Sequence, residues 1–419
     1  MSADAPNLYD ALEERGLIAQ CTEPAQEMRE RLATPTTMYC GFDPTANSLH
    51  VGSLVPIMVL AHAQRCGHKP LVLVGGATGR VGDPSGKDAS RAMLAPEEID
   101  ANAHDIAAQI GRIVRFDHGE TGAELLNNLD WIGPLSWLEV LRDVGSKVSV
   151  NRMMTMESVK SRMTGDGQFI TYLEFSYMLL QAYDFAHLGR ARGCTVQLGG
   201  QDQWGNIVMG TELGRKLHDL DLAGLTMPLV TKADGAKFGK SESGNVWLDR
   251  ARTPVFDFFQ FWRNTGDADV GRFLRFFTFL PLAEIEELEA ATGAGINEAK
   301  VRLAFEVTKN VHGEEEAAAA RDAAGRAFGG GGVDAEALPH AQLDLSAPVS
   351  VVELMKLAGF AKSNGEARRL IQGGGVRVHD QKVEDPLAEV SASDVRDGHV
   401  LLRAGKKRLF RFDAAGVPS

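Results

Sequence analysis

Two apolar runs in this chain end directly on paired glycines: Leu71-Val72-Leu73-Val74 runs into Gly75-Gly76, and Thr195-Val196-Gln197-Leu198 into Gly199-Gly200. A short apolar run that stops at glycine reads as a buried strand followed by a sharp turn. Residues 37–42 read as a third strand, closing on Asp43-Pro44. Longer stretches of helical period lie between the strands. Residues 54–66 carry Leu54, Ile57, Met58 and Ala61 at helical spacing, with Pro56 in the first turn, where proline is tolerated. Strands alternating with helices predict an α/β fold, a doubly wound and mostly parallel sheet with helices on both faces. Ligands of such sheets bind beyond the carboxyl ends of the strands. The three turn segments are therefore expected to converge on one crevice.

The 419 residues are too many for one ordinary core. Residues 1–225 are expected to form the Rossmann-like domain. Residues 226–328 are expected to form a helical domain, rich in phenylalanine over 253–290 and in alanine and glutamate over 297–327. Four glycines at 329–332 open an expected linker, 329–348. Residues 349–419 are expected to form a small α+β domain, with strands around Val376-Arg377-Val378 and Val400-Leu401-Leu402. That last part holds 12 Lys and Arg against 9 Asp and Glu, a net of +3, which leaves −15 on the remainder of a chain whose net charge is −12. A locally basic tail on an acidic body can still meet phosphates.

No apolar run reaches the roughly 20 residues needed to cross a bilayer, and the acidic start of the chain lacks an export pattern. Cys21, Cys40, Cys66 and Cys194 form no C-x-x-C pair, so no structural metal site is expected. Four cysteines without an export signal fit a reducing cytoplasm.

Five segments carry candidate chemistry. In the first, Tyr39, Gly41 and Asp43 lie on one face of a strand; His50 and Gly52 then precede a helix whose N–H groups favour an anion. The second, Gly75-Gly76-Ala77-Thr78-Gly79-Arg80-Val81-Gly82-Asp83-Pro84-Ser85-Gly86-Lys87, is glycine-rich but neither a Walker loop nor a dinucleotide fingerprint. Lys87 and Arg91 follow Asp83 within reach of a phosphate. The third is an apolar helical stretch, residues 172–188, in which Tyr177, Gln181 and Asp184 are spaced by four and three and so share one face. Polar groups on a helix this apolar are costly to bury without partners, which suggests a pocket wall for a polar ligand with an apolar body. The fourth is Gly199-Gly200-Gln201-Asp202-Gln203-Trp204-Gly205-Asn206, whose carboxylate suits a ribose. The fifth, Lys237-Phe238-Gly239-Lys240-Ser241, suits a movable clamp on phosphates. Taken singly, each is also compatible with an ordinary turn or surface loop.

Taken together, and in this order, the motifs resemble a known family. His50-Val51-Gly52-Ser53 and Lys237-Phe238-Gly239-Lys240-Ser241 resemble the two signatures of class I aminoacyl-tRNA synthetases. The YCGFDPTANSLH, GGATGRVGDPSGK, YMLLQAYDF and GGQDQWGN segments look like those of the bacterial tyrosyl enzymes. The resemblance implies a tyrosine–tRNA ligase that uses ATP with Mg2+, forms tyrosyl-AMP and charges tRNA-Tyr, as a homodimer. It implies that Tyr39 and Asp184 hold the substrate phenol, and that Asp83, Tyr177 and Gln181 hold its ammonium, with Asp43 nearby. Gln203 would meet the carboxyl region. Cys40, Gly200 and Asp202 would meet the ribose, and Gly52 the adenine. Thr45, His50, Lys87, Arg91, Lys237 and Lys240 would stabilise the departing pyrophosphate. No protein nucleophile is required, because the tyrosine carboxylate itself attacks the α-phosphorus.

The first signature departs from the family at its last position, where a second histidine or asparagine is common and this chain has Ser53. The tail resembles a small RNA-binding fold, matching over residues 362–371 and 375–378. Arg368, Arg369, Arg377, Lys382, Lys406, Lys407 and Arg408 are its candidate tRNA contacts. Three alternatives remain at this stage: a tryptophanyl enzyme, a nucleotidyltransferase acting on a small metabolite, and a non-catalytic RNA adaptor.

Overall fold

The computed structural model describes residues 6–84, 94–164, 170–233, 235, 238–241, 244–293, 295–328, 338–379, 381–396, 398–405 and 408–415. Six strands form the large sheet: β1 (Gln20–Cys21), β2 (Thr37–Phe42), β3 (Lys69–Val74), β4 (Glu124–Asn127), β5 (Cys194–Gly200) and β6 (Ala223–Met227). Their order is β1-β6-β5-β2-β3-β4. Every neighbouring pair from β6 to β4 is parallel, and only the two-residue edge strand β1 is antiparallel. The central strands β2, β3 and β5 are largely buried along their length, as the glycine-terminated runs imply. Sequence order runs outward from β2 to β4 on one side and from β5 to β6 on the other. The progression therefore reverses between β2 and β5, which opens a crevice at their carboxyl ends. This is the doubly wound sheet expected from the sequence.

Three helices frame that crevice. A 3-10 turn, Val51–Ser53, leads into the helix Leu54–Arg65. The helix Tyr172–Arg192 begins with a capping box, in which Thr171 and Glu174 exchange hydrogen bonds, and ends at Gly193 with φ 62°. Trp204–His218 follows β5 and packs along it.

Beyond β6 the chain is helical, in Val255–Arg263, Val270–Phe277, Leu282–Glu289, Gly295–His312 and Glu314–Phe328. Pro281 supplies the N-cap of the third of these, the interruption read from the sequence. Phe258, Phe259, Trp262 and Phe277 are fully buried between these helices.

The C-terminal part is a five-stranded sheet of His340–Asp344, Val376–Val378, Gln381–Val383, His399–Ala404 and Arg408–Ala415, with helices Val351–Leu357 and Asn364–Gln372. Within the expected linker, 329–348, His340–Asp344 forms a strand. His340–Asp344 pairs in parallel with Arg408–Ala415 as an edge strand. Its His-Ala-Gln-Leu-Asp sequence buries one large apolar side chain, Leu343, so it carries little strand signal. Leu338, Leu401 and Leu409 join the apolar cluster of the main body, while most of the C-terminal core is a cluster of its own.

Candidate active site

The mouth of the crevice is held by one run of hydrogen bonds between four elements. Asp43, just past β2, accepts from Thr78 Oγ1 at 2.7 Å and from the Tyr177 hydroxyl at 2.7 Å. Asn128, just past β4, donates to Thr78 Oγ1 at 3.0 Å and to Asp184 Oδ2 at 2.9 Å, while its own oxygen accepts from the Ala77 N–H at 2.7 Å. The Trp131 indole N–H donates to Asp184 Oδ1 at 2.8 Å. Gly75 makes this packing possible. A Cβ there would lie 2.0 Å from Asp43 Oδ1 and 2.3 Å from Thr78 Oγ1.

A second run holds the other wall. Asn206 Nδ2 donates to Gln181 Oε1 and Gln203 Oε1, both at 3.0 Å. Gln203 Nε2 donates to Asp83 Oδ2 at 2.7 Å and to Asp202 Oδ2 at 3.1 Å. Tyr177, Gln181 and Asp184 thus share one face of their helix, and each is hydrogen-bonded to a residue outside it.

Tyr39 sits at the bottom. Its ring is 1% exposed and tilts against Phe185 at 5.4 Å. Its hydroxyl is buried with no hydrogen-bond partner, as is Oε1 of Gln197, its register partner on β5. A buried hydroxyl left unpaired is costly, so a polar ligand atom is the natural complement. Burial, then the nearby Asp184 charge, raises the Tyr39 hydroxyl well above the usual phenol range, so it remains a donor. Burial also pushes the Asp184 carboxyl up to about 7, against the two hydrogen bonds that favour its charged form. The Tyr177 hydroxyl is raised by burial and then by Asp43.

At the start of the turn Val51–Ser53, His50 Nδ1 accepts from the Gly52 N–H at 3.0 Å. An accepting Nδ1 leaves a neutral ring with its proton on Nε2, a donor suited to phosphate. Thr45 lies one turn after Asp43, and Cys40 is buried on β2 with its thiol pushed by burial up to about 12, hence unreactive. Gly200 and Asp202 occupy the end of β5 and the turn after it. Lys87, Arg91 and Lys237 lie outside the described residues, as does the side chain of Lys240. Phe238, between the two lysines, is seated among aromatic rings of the helical region. It stacks on Phe277 at 5.6 Å and 14°, with Phe273, Trp262 and Phe261 within 5.7 Å.

Residues 31–329 match the family model of class I tRNA synthetases (W and Y), and residues 334–412 match that of the tyrosine–tRNA ligase SYY-like C-terminal domain. The chain belongs to the class I tyrosyl-tRNA synthetases. A tyrosine–tRNA ligase of Rhodospirillum rubrum is 48% identical over 97% of this chain and 98% of its own length. One from Caulobacter vibrioides is 48% identical over 95% of each. Among solved structures, a C-terminally truncated mitochondrial tyrosyl-tRNA synthetase of Aspergillus nidulans is 33% identical, with a TM-score of 0.68, covering 76% of this chain and 94% of that one.

Four residues of this synthetase's crevice had no role assigned from the sequence: Thr78 and Asn206, which lie inside two of the candidate segments, and Asn128 and Trp131, which lie outside them all. Asn128 and Trp131 follow a strand, β4, that has no paired glycines to mark its end, and the strand itself is only four residues long. The Asn127-Asn128 pair was the available signal, since polar amides directly after an apolar strand suit a crevice lip. In the C-terminal domain, Arg368, Arg369, Arg377 and Lys382 are exposed, with Lys382 paired to Glu384 at 2.6 Å. Arg408 is half-buried, donates to Phe360 O at 2.9 Å and lies over the Phe360 ring. Lys406 and Lys407 lie outside the described residues.

Proposed function

We infer that this crevice activates L-tyrosine with ATP, and that the tyrosyl group then passes from tyrosyl-AMP to the 3′-terminal adenosine of tRNA-Tyr. The observation that carries the substrate is the unpaired Tyr39 hydroxyl buried beside Asp184. A substrate phenol entering there accepts from Tyr39 and donates to Asp184. An indole or a phenyl ring leaves one or both without a partner, a loss of about 1–3 kcal/mol for each.

The other roles are those that the family resemblance implies. Asp43, Asp83, Tyr177 and Gln181 supply acceptors for the α-ammonium, with Gln203 beside its carboxylate. Cys40, Gly200 and Asp202 border the ribose, and Gly52 the adenine. The tyrosine carboxylate attacks the α-phosphorus in line, and pyrophosphate leaves. Thr45 and the His50 Nε2–H, with Lys87, Arg91, Lys237 and Lys240, stabilise the charge that gathers on the leaving group. Among the described residues no group of three or more His, Cys, Asp or Glu is arranged to hold a metal ion. Magnesium is accordingly assigned to the ATP phosphates as part of the substrate.

The working form is a homodimer in the cytoplasm. The dimer is supported by an apolar surface. Of the thirteen exposed large hydrophobics among the described residues, eight lie between 137 and 173, including Trp137, Leu138, Leu141, Tyr172 and Leu173. Among the described residues no helix is long and apolar enough to cross a membrane. ATP–pyrophosphate exchange with tyrosine, tryptophan and phenylalanine in parallel tests the substrate, with exchange expected for tyrosine alone. Exchange at comparable rates with tryptophan refutes the reading. Sedimentation of wild type against Leu138→Asp tests the dimer, which the charge should weaken.

A further inference from the structure

Asp184 is steadied by the Trp131 indole, and Trp131 is in turn covered by His187. The two rings stack face to face, 4.6 Å apart and 11° from parallel. His187 lies three residues after Asp184 on the helix Tyr172–Arg192, so one helix face carries both the carboxylate and the ring that clamps its hydrogen-bond donor. Trp131 itself sits on a short helix, Leu129–Ile132, with no fully buried residue, and packs half-buried against the apolar cluster that holds Tyr39 and Phe185, so His187 covers a ring whose other contacts belong to the tyrosine pocket.

We propose that His187 is a positioning residue for tyrosine recognition: by stacking on Trp131 it holds the indole N–H on Asp184 Oδ1 and so keeps the carboxylate aimed at the substrate phenol. His187 also lines a surface cavity with Tyr183 and Arg190 of its own helix, His218 at the end of the following helix, and Glu139 and Asp143 of residues 135–144. The stack thus joins a residue of that cavity to the hydrogen-bond donor of Asp184.

This rests on the assignment of Asp184 to the substrate phenol. The test is tyrosine-dependent pyrophosphate exchange by full-length His187→Ala and His187→Phe, with Asp184→Asn as a control on the underlying assignment. Loss of an aromatic pair of ordinary strength should raise KM for tyrosine by about three- to ten-fold in His187→Ala, with kcat and KM for ATP unmoved. His187→Phe keeps a ring in place and should restore the wild-type KM. Trp131 emission should also respond to tyrosine in His187→Phe as in wild type, and less in His187→Ala. A wild-type KM in His187→Ala overturns the proposal. So does a His187→Phe variant as impaired as His187→Ala, or a fall in kcat alone. If Asp184→Asn leaves tyrosine use intact, the assignment of Asp184 fails instead, whatever the His187 variants do.

Discussion

The Tyr177 hydroxyl donates to Asp43 Oδ2 at 2.7 Å, joining a strand end to a helix across 134 positions of sequence. Thr78 donates to the other oxygen of the same carboxylate. Asp43 is therefore fixed from both sides before any substrate arrives, and its charge is aimed rather than free to turn. Tyr177→Phe removes one clamp and an ammonium partner together. A hydrogen bond to a charged group contributes about 1.5–3 kcal/mol, so kcat/KM for tyrosine should fall roughly ten- to a hundred-fold. The ATP parameters should stay put. Steady-state pyrophosphate exchange measures both, and an unchanged tyrosine kcat/KM refutes the role of the pair.

Asp184 gives a pH dependence with a definite sign. Its folded pKa of about 7 is raised chiefly by burial, above an unfolded value of about 3.9. The folded state then holds more protons than the unfolded state between these values, so this group's contribution to stability is full below about pH 4. It is lost as pH rises through about 7 and is flat above. Denaturant unfolding from pH 5 to 8 should show a decline that is shallower in Asp184→Asn. Tyrosine binding should move the other way. The ionised carboxylate is the better acceptor for a phenol, so discrimination against phenylalanine should grow through pH 7. A pH-independent discrimination ratio contradicts this.

What the sequence disclosed and what it concealed divide along physical lines. Tyr177, Gln181 and Asp184 were legible because helical spacing and an apolar background leave polar residues only one economical face. The crevice was legible because glycines mark where β3 and β5 stop. Asn128 and Trp131 were not, since their role depends on the helix Tyr172–Arg192 bringing Asp184 alongside, a contact 53 to 56 residues away in sequence. Likewise nothing local separates Arg408, turned in onto Phe360, from the exposed Arg377. A cation's partner is decided by tertiary packing.

Phe238 makes a separate prediction for the ATP side. Gly239 next to it has φ +83°, with a Cβ position 3.1 Å from Val51 Cγ2, so the loop turns sharply against the first signature. The aromatic seat of Phe238 is what holds that turn. Phe238→Ala should raise KM for ATP and lower kcat of exchange, together by about ten-fold, as expected for one lost aromatic anchor. Tyrosine binding measured without ATP should be unaltered. Equal losses for both substrates indicate general unfolding instead.

Ser53 stands where a second signature histidine is common. Its side chain makes no capping hydrogen bond to the helix Leu54–Arg65 that follows it. Replacement should therefore forfeit nothing in the free protein. A Ser53→His ring adds a donor near the phosphates, worth about 1.5–3 kcal/mol if it meets a charged oxygen. Pre-steady-state tyrosine activation should be as fast as wild type or faster, by up to roughly a hundred-fold. A slower variant assigns Ser53 a role of its own.

The C-terminal domain should separate the two half-reactions, provided the cut respects its sheet. Truncation after residue 345 strands His340–Asp344, which pairs only with Arg408–Ala415. Truncation after Phe328, where the last helix of the body ends, removes the sheet whole. It also uncovers the apolar cluster shared with Leu338, Leu401 and Leu409, so some loss of thermal stability is expected. Pyrophosphate exchange should persist within about two-fold, because no residue of the crevice is removed. Aminoacylation should fall by at least about ten-fold as Arg368, Arg369 and Arg377 are lost, and the remaining activity should depend less steeply on salt. If both half-reactions fall together at a temperature where the truncated chain is folded, the domain supports the catalytic body and is not a separate tRNA contact.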